Sequence, residues 1–184
     1  MKYIEGGVTA AKGFTASGIH CGIRKNQSKK DLAMIKSEVK AAAAAVYTQN
    51  KVYGAPITVT RNNLADGFAQ AVIVNSGNAN TCNSDGVLKA EMMCDIASKA
   101  LDVDKNDIIV ASTGVIGMSL DVTPIANSAA MLVSQMSADG GNDAAFAIMT
   151  TDTIPKECAV ELEIGGKTVT LGACCKGSGM IHPN

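Results

Sequence analysis

Apolar positions change period several times along this chain, and each change marks an element. Residues 70–75, QAVIVN, form a short apolar run of buried-strand type that feeds straight into the polar turn Ser76-Gly77-Asn78-Ala79-Asn80. From 85 to 101 the apolar positions Val87, Leu88, Met92, Ile96 and Leu101 fall at helical spacing, with methionine as core filler. Ile108, Ile109 and Val110 predict a second short buried strand, ending in Ser112-Thr113-Gly114-Val115-Ile116-Gly117. A helix is expected to start near Thr123, because Pro124 suits a first helical turn, and a short one to cover 143–149. Two strands, 159–164 and 168–171, are joined through Gly165-Gly166, a strong hairpin signal. Upstream, residues 2–24 are extended and broken by glycines. Residues 31–48 are ambiguous: alanine favours helix, whereas Leu32, Met34 and then Val46, Tyr47, Thr48 suit two buried strands. Strands are the reading taken. With no internal repeat or linker, residues 1–184 read as one α/β domain.

Composition sharpens this picture. Aromatics are only 3% of the 184 residues and tryptophan is absent, so the core must be aliphatic and closely packed. A net charge of −1 and the lack of a basic stripe with interleaved aromatics argue against a nucleic-acid partner. The basic run Arg24, Lys25, Lys29 and Lys30 reads as a solvated loop or strand end. Six scattered cysteines form no CxxC pair, and adjacent Cys174 and Cys175 suit neither a closed zinc site nor a disulfide scaffold. They read as free thiols in a reducing cytoplasm. The first residues, MKYIEGGVTAAKGF, lack the apolar centre of a signal peptide, and no apolar run is long enough to span a bilayer.

Candidate chemistry is sparse. The only histidines, His20 and His182, sit in no metal or triad motif, and no nucleophile elbow or phosphate-binding loop is present. Thr113-Gly114 stands at a strand end, where a backbone N–H and a hydroxyl can form an oxyanion hole; an ordinary turn is the alternative. Lys176 lies among glycines and can reach a substrate carboxylate, or be a plain surface lysine. The hydroxyls of Thr150-Thr151-Asp152-Thr153 suit either a polar substrate or local backbone bonds. The glycine-rich Lys176–Asn184 tail reads either as a disordered terminus or as a chain cut at a functional position.

Taken together, four blocks resemble the ornithine acetyltransferases, also called bifunctional glutamate N-acetyltransferases: NSGNAN from Asn75, ASTGVIG from Ala111, TTDTIPK from Thr150 and KGSGMIHPN from Lys176. GGVTAAKGF and VYTQNKVYGAP (from Val46) add weaker matches, and the resemblance covers essentially the whole chain. It departs at Ala173-Cys174-Cys175 and at His182, where small residues are usual. The resemblance implies a layered sandwich of helices and sheets like that of N-terminal-nucleophile enzymes. It implies a precursor that cleaves itself before a threonine, this chain being the N-terminal (α) subunit and the threonine opening the C-terminal (β) subunit. By the matched motifs, Thr113 and Gly114 form the oxyanion hole, and Thr150 and Lys176 contact substrate. The implied reaction moves an acetyl group from N2-acetylornithine to glutamate through an acetyl-threonine on the partner, in a cytoplasmic α2β2 assembly. No cofactor or metal is implied, and acetyl-CoA is a second donor only if the enzyme is bifunctional. The scarcity of histidine agrees, since a free N-terminal amine, with a reference pKa of ~7.7–8.0, is then the base for the threonine hydroxyl. The rival readings are a related N-terminal-nucleophile aminopeptidase and a non-catalytic small-molecule binding domain.

Overall fold

The computed structural model describes residues 1–179. The end of the KGSGMIHPN block, with His182, lies outside them. The elements are β1 (Lys2–Ile4), β2 (Phe14–Ile19), β3 (Leu32–Ala42), α1 (Ala55–Asn63), β4 (Phe68–Asn78), α2 (Gly86–Leu101), β5 (Ile108–Val115), α3 (Thr123–Ser134), α4 (Gly141–Ala147), β6 (Lys156–Ile164) and β7 (Lys167–Cys175). They form a four-stranded sheet in the order β2-β3-β4-β5 and a three-stranded sheet in the order β1-β6-β7. The β4–β5 pair is parallel and the others antiparallel. A parallel pair needs a crossover, and α2 supplies it.

The core lies on both faces of the four-stranded sheet. On one face Met34, Ile73, Ile108 and Val110 meet Ala90, Met93, Cys94 and Ala97 of α2 and Ile125 and Leu132 of α3. On the other, Ala16 and Ala33 meet Ala144 and Ala147 of α4. Small residues let α4 sit close, which is how a core with few aromatic rings reaches protein-like density.

The three-stranded sheet differs. Its register places Tyr3, Cys158, Val160, Leu162, Ile164, Val169, Leu171 and Ala173 on one face. That face is open: Tyr3 is 74% exposed, Ile164 56% and Leu171 55%. The opposite face buries Ala159 and lies toward α4.

Most expected elements are present, several with longer ends. The β6–β7 hairpin turns at Gly165 and Gly166 with φ of 57° and 74°, the left-handed pair that a two-residue turn requires. Three expectations fail. Residues 46–48 are not a strand, because nothing pairs with them; Val46 is 99% exposed and Tyr47 instead lies under the Arg61 guanidinium, 4.6 Å from its centroid. On α2, Val87 and Leu88 face solvent, while Ala90, Met93, Cys94, Ala97 and Leu101 form the buried stripe. The basic run is not all solvated, since Arg24 and Lys30 are half-buried and Lys30 pairs with Asp143. Helix α1 was not anticipated, although Pro56 sits in its first turn. All six cysteines are free thiols, and no helix among the described residues is long and apolar enough to cross a membrane.

Candidate active site

The ends of β4 and β5 lie side by side, with Gly77 paired to Gly114. Both take positive φ, 108° and 134°. A Cβ on Gly114 would collide with the Gly77 backbone, and one on Gly77 would come within 2.9 Å of Arg24 Cγ. Just beyond, Asn78 faces both Thr113 and Val115, so the ladder bulges at Gly114. The buried polar residues of NSGNAN hold this turn. Ser76 Oγ donates to the Ala147 carbonyl at 2.6 Å, Asn75 Nδ2 to the Asn78 carbonyl at 2.9 Å, Asn78 Nδ2 to the Met118 carbonyl at 3.0 Å, and Asn80 Nδ2 to the Gly86 carbonyl at 2.8 Å. That block is therefore scaffold for the strand ends.

β5 is an edge strand, and its backbone alternates sides. The Val115 carbonyl accepts from the Ala79 N–H at 2.8 Å, towards β4. The Ile108 and Val110 carbonyls turn the other way and accept from Asn63 Nδ2 and Thr60 Oγ1 of α1, each at 2.8 Å. By the same alternation the Gly114 N–H faces the open edge. Beside it the half-buried Thr113 hydroxyl has no hydrogen-bond partner among the described residues. Both residues line a cavity of about 860 Å³ roofed by the 46–54 loop.

A second group surrounds Asp152, whose side chain is only 2% exposed. Its carboxylate accepts from Lys156 Nζ at 2.9 Å, from the Gly177 N–H at 2.5 Å and from the Thr150 N–H at 3.0 Å, with Lys176 Nζ at 3.5 Å. Burial by itself opposes ionisation here. The hydrogen bonds from Thr150, Lys156 and Gly177, with the charge of Lys176, outweigh it and hold the carboxyl well below the usual carboxylate range. Lys176 also donates to the Gly177 carbonyl at 2.7 Å. The Thr150 hydroxyl, like that of Thr113, has no partner among the described residues.

Arg24 joins the two groups. Fully buried Asp31 accepts from the N–H groups of Cys21 at 2.6 Å, Gly22 at 3.3 Å and Arg24 at 2.8 Å, which folds the 20–31 loop into a tight turn. Asp31 also lies 3.3 Å from His20 Nδ1. The Arg24 side chain then crosses Gly77, and its guanidinium donates to the Met149 carbonyl, next to Thr150. Contacts thus run from Gly114 through Gly77, Arg24, Met149 and Thr150 to Asp152 and Lys176. The four residues singled out in the sequence stand at the ends of this path. Arg24, Asp31 and Asp152 were missed, because the contacts that matter are distant in sequence. No group of three or more acidic, histidine or cysteine side chains among the described residues is placed to hold a metal.

Comparison with known proteins gives this geometry a context. The ArgJ family matches residues 15–184. The arginine biosynthesis bifunctional protein ArgJ of Symbiobacterium thermophilum is 49% identical over 186 residues, covering 100% of this chain and 46% of that protein. The Bacillus subtilis protein of the same name is 48% identical, covering 98% and 44%. The chain thus spans about half the length of the curated relatives it matches. The crystal structure of the ArgJ protein from Bacillus halodurans superposes with a TM-score of 0.92 at 43% identity, covering 99% of this chain and 96% of that one. Ornithine acetyltransferase from Mycobacterium tuberculosis, crystallised with ornithine, gives 0.88 at 36% identity, covering 97% and 95%. With the family matched across nearly all of its length and the fold shared with both solved structures, this chain belongs to the ArgJ family.

Proposed function

We propose that this chain is the α subunit, residues 1–184, of a self-cleaved enzyme that transfers acetyl from N2-acetylornithine to glutamate. Thr113 and the Gly114 N–H stabilise the oxyanion, and Thr150 and Lys176 hold the substrate. The nucleophile is a threonine opening the C-terminal subunit. Its hydroxyl attacks the acetyl carbonyl, and its own amine takes the proton. Ornithine leaves with a proton on its α-nitrogen, and the glutamate amine then displaces the threonine oxygen to give N-acetylglutamate. Acetyl-CoA is a second donor if the enzyme is bifunctional, no cofactor is needed, and the assembly is a cytoplasmic α2β2 heterotetramer.

The observation that carries this reading is the placing of an unpartnered hydroxyl, Thr113, beside the Gly114 N–H on an open strand edge at a cavity wall. Preorganised donors of this kind are often the largest single contribution to acyl transfer. The division into subunits is supported by coverage: this chain matches 96% of the solved Bacillus halodurans chain but only 46% of the longer Symbiobacterium thermophilum protein. The open apolar face of the three-stranded sheet supports a partner as well.

The test uses the complete polypeptide. Incubation with acetylornithine alone should add one acetyl group to a threonine outside this chain, and added glutamate should discharge it as N-acetylglutamate. Acetylation of Thr113, or release of free acetate with no transfer, contradicts the proposal.

A further inference from the structure

The cavity beside Thr113 and Gly114 is far larger than an acetyl group requires. Its volume, about 860 Å³, is in the upper range for sites of drug-sized ligands. The side chains that extend it away from the donors are Val46, Val52, Ile57, Ile109 and Ile116, with Tyr47 and Tyr53 above. The roof, residues 43–54, has no helix or strand. It is held to α1 by Arg61, whose guanidinium lies 4.6 Å from the Tyr47 ring centroid and 5.3 Å from that of Tyr53. The polar groups along this wall are largely engaged: Thr60 Oγ1 bonds the Val110 carbonyl and N–H at 2.8 and 3.1 Å.

From this we infer that the site accepts acyl groups longer than acetyl, so that medium-chain N2-acylornithines are donors too. The inference rests on the acyl-transfer reading, because the carbonyl is fixed by Thr113 and Gly114 while the chain beyond it enters the apolar cavity. The chemistry is unchanged by chain length. The amide C–N bond breaks, the acyl carbon passes to the threonine oxygen and then to the glutamate nitrogen, and the protons move as they do for acetyl. Each added methylene leaves water for an apolar wall. At about 0.8 kcal/mol per buried CH₂ this corresponds to roughly fourfold tighter binding per carbon while the cavity lasts.

The experiment is a chain-length series, acetyl to octanoyl N2-acylornithine, with glutamate and the complete mature protein, read as kcat/KM and as N-acylglutamate formed. The expected result is KM falling from acetyl to about hexanoyl, with N-acylglutamate produced at each length. Ile57→Trp, which fills the cavity away from the donors, should leave acetyl transfer intact and cut hexanoyl transfer at least tenfold. If acetylornithine is turned over but butanoyl and longer donors are not, the inference is overturned and the acyl-transfer reading stands. If chain length is tolerated equally in the Ile57→Trp variant, the acyl chain lies elsewhere and the inference also fails. If acetylornithine itself transfers nothing, the acyl-transfer reading falls and takes the inference with it.

Discussion

The two sheets of this chain are finished to different degrees. The four-stranded sheet is covered on both faces, and Leu32, Met34, Ile73 and Ile108 are fully buried in it. The three-stranded sheet is covered on one face, while Tyr3, Ile164 and Leu171 stand exposed on the other. Strands with a strict in–out alternation are built for one buried and one wet face. Here the uncovered face is the apolar one, so the alternation describes a layer whose second half is supplied from elsewhere. The chemistry follows the same division. The oxyanion candidates lie at the end of the finished sheet, and Lys176 follows the last strand of the unfinished one.

The sharpest way to break this comparison is to cut one apolar side chain from each sheet. Ile73→Ala should cost about 2–5 kcal/mol of stability, as large-to-small core changes do. Leu171→Ala, tested on this chain by itself, should stay within about 0.5 kcal/mol. Denaturant melts of the two variants decide it, and equal losses would mean that Leu171 already lies in a core.

Next in size is Thr113→Ala at the end of the finished sheet. Loss of an oxyanion donor is expected to lower kcat by about 2.7–4 kcal/mol equivalent, with the melting temperature hardly changed. A wild-type kcat would reduce Thr113 to a turn residue. Lys176→Ala, beyond the unfinished sheet, should cost less, about 1.5–3 kcal/mol in kcat/KM, as for a charged hydrogen bond. Unaltered kinetics in a fully assembled Lys176→Ala protein would remove it from the site.

The smallest effect concerns acid. Asp152 titrates lower in the folded protein than in the unfolded chain, so its stabilising contribution is complete above the ordinary aspartate value of ~3.9 and is lost as pH falls below it. The tie between Asp152 and the Gly177 N–H should therefore hold throughout the neutral and mildly acid range. Following the Gly177 amide by NMR during acid titration checks this, and release of the tie near pH 6 would contradict it.

Much of the finished sheet was legible from pattern alone. Strands β4 and β5, helices α2 and α3 and the β6–β7 hairpin each carry a local signal: an apolar run, a helical period, a proline start or a Gly-Gly turn. Helix α1 was illegible because its sequence, APITVTRNN, is rich in β-branched residues and weakly amphipathic; α2 and β5 hold it in place. At the site, Thr113, Gly114, Thr150 and Lys176 were readable because they lie in recognisable blocks. Arg24 was read as solvated loop because its hydrogen-bond partner, Met149, is 125 residues away. Asp152 was noticed only as part of a polar run. Its role depends on Gly177, 25 residues further on.

The back-to-back glycines at 77 and 114 also bear on how this protein can be redesigned. A random library that admits any other residue at Gly114 spends those members on chains whose strand ends cannot close, because the strand beside it leaves no room for a methyl group. Changing Gly77 as well does not help, since Arg24 occupies the space above it. Diversity aimed at new donors is better placed in the wall formed by Val52, Ile57 and Ile109, where side chains meet only the cavity roof and one another. The glycine pair thus divides the sequence into positions that carry the reaction unchanged and positions that are open to selection for a different acyl group.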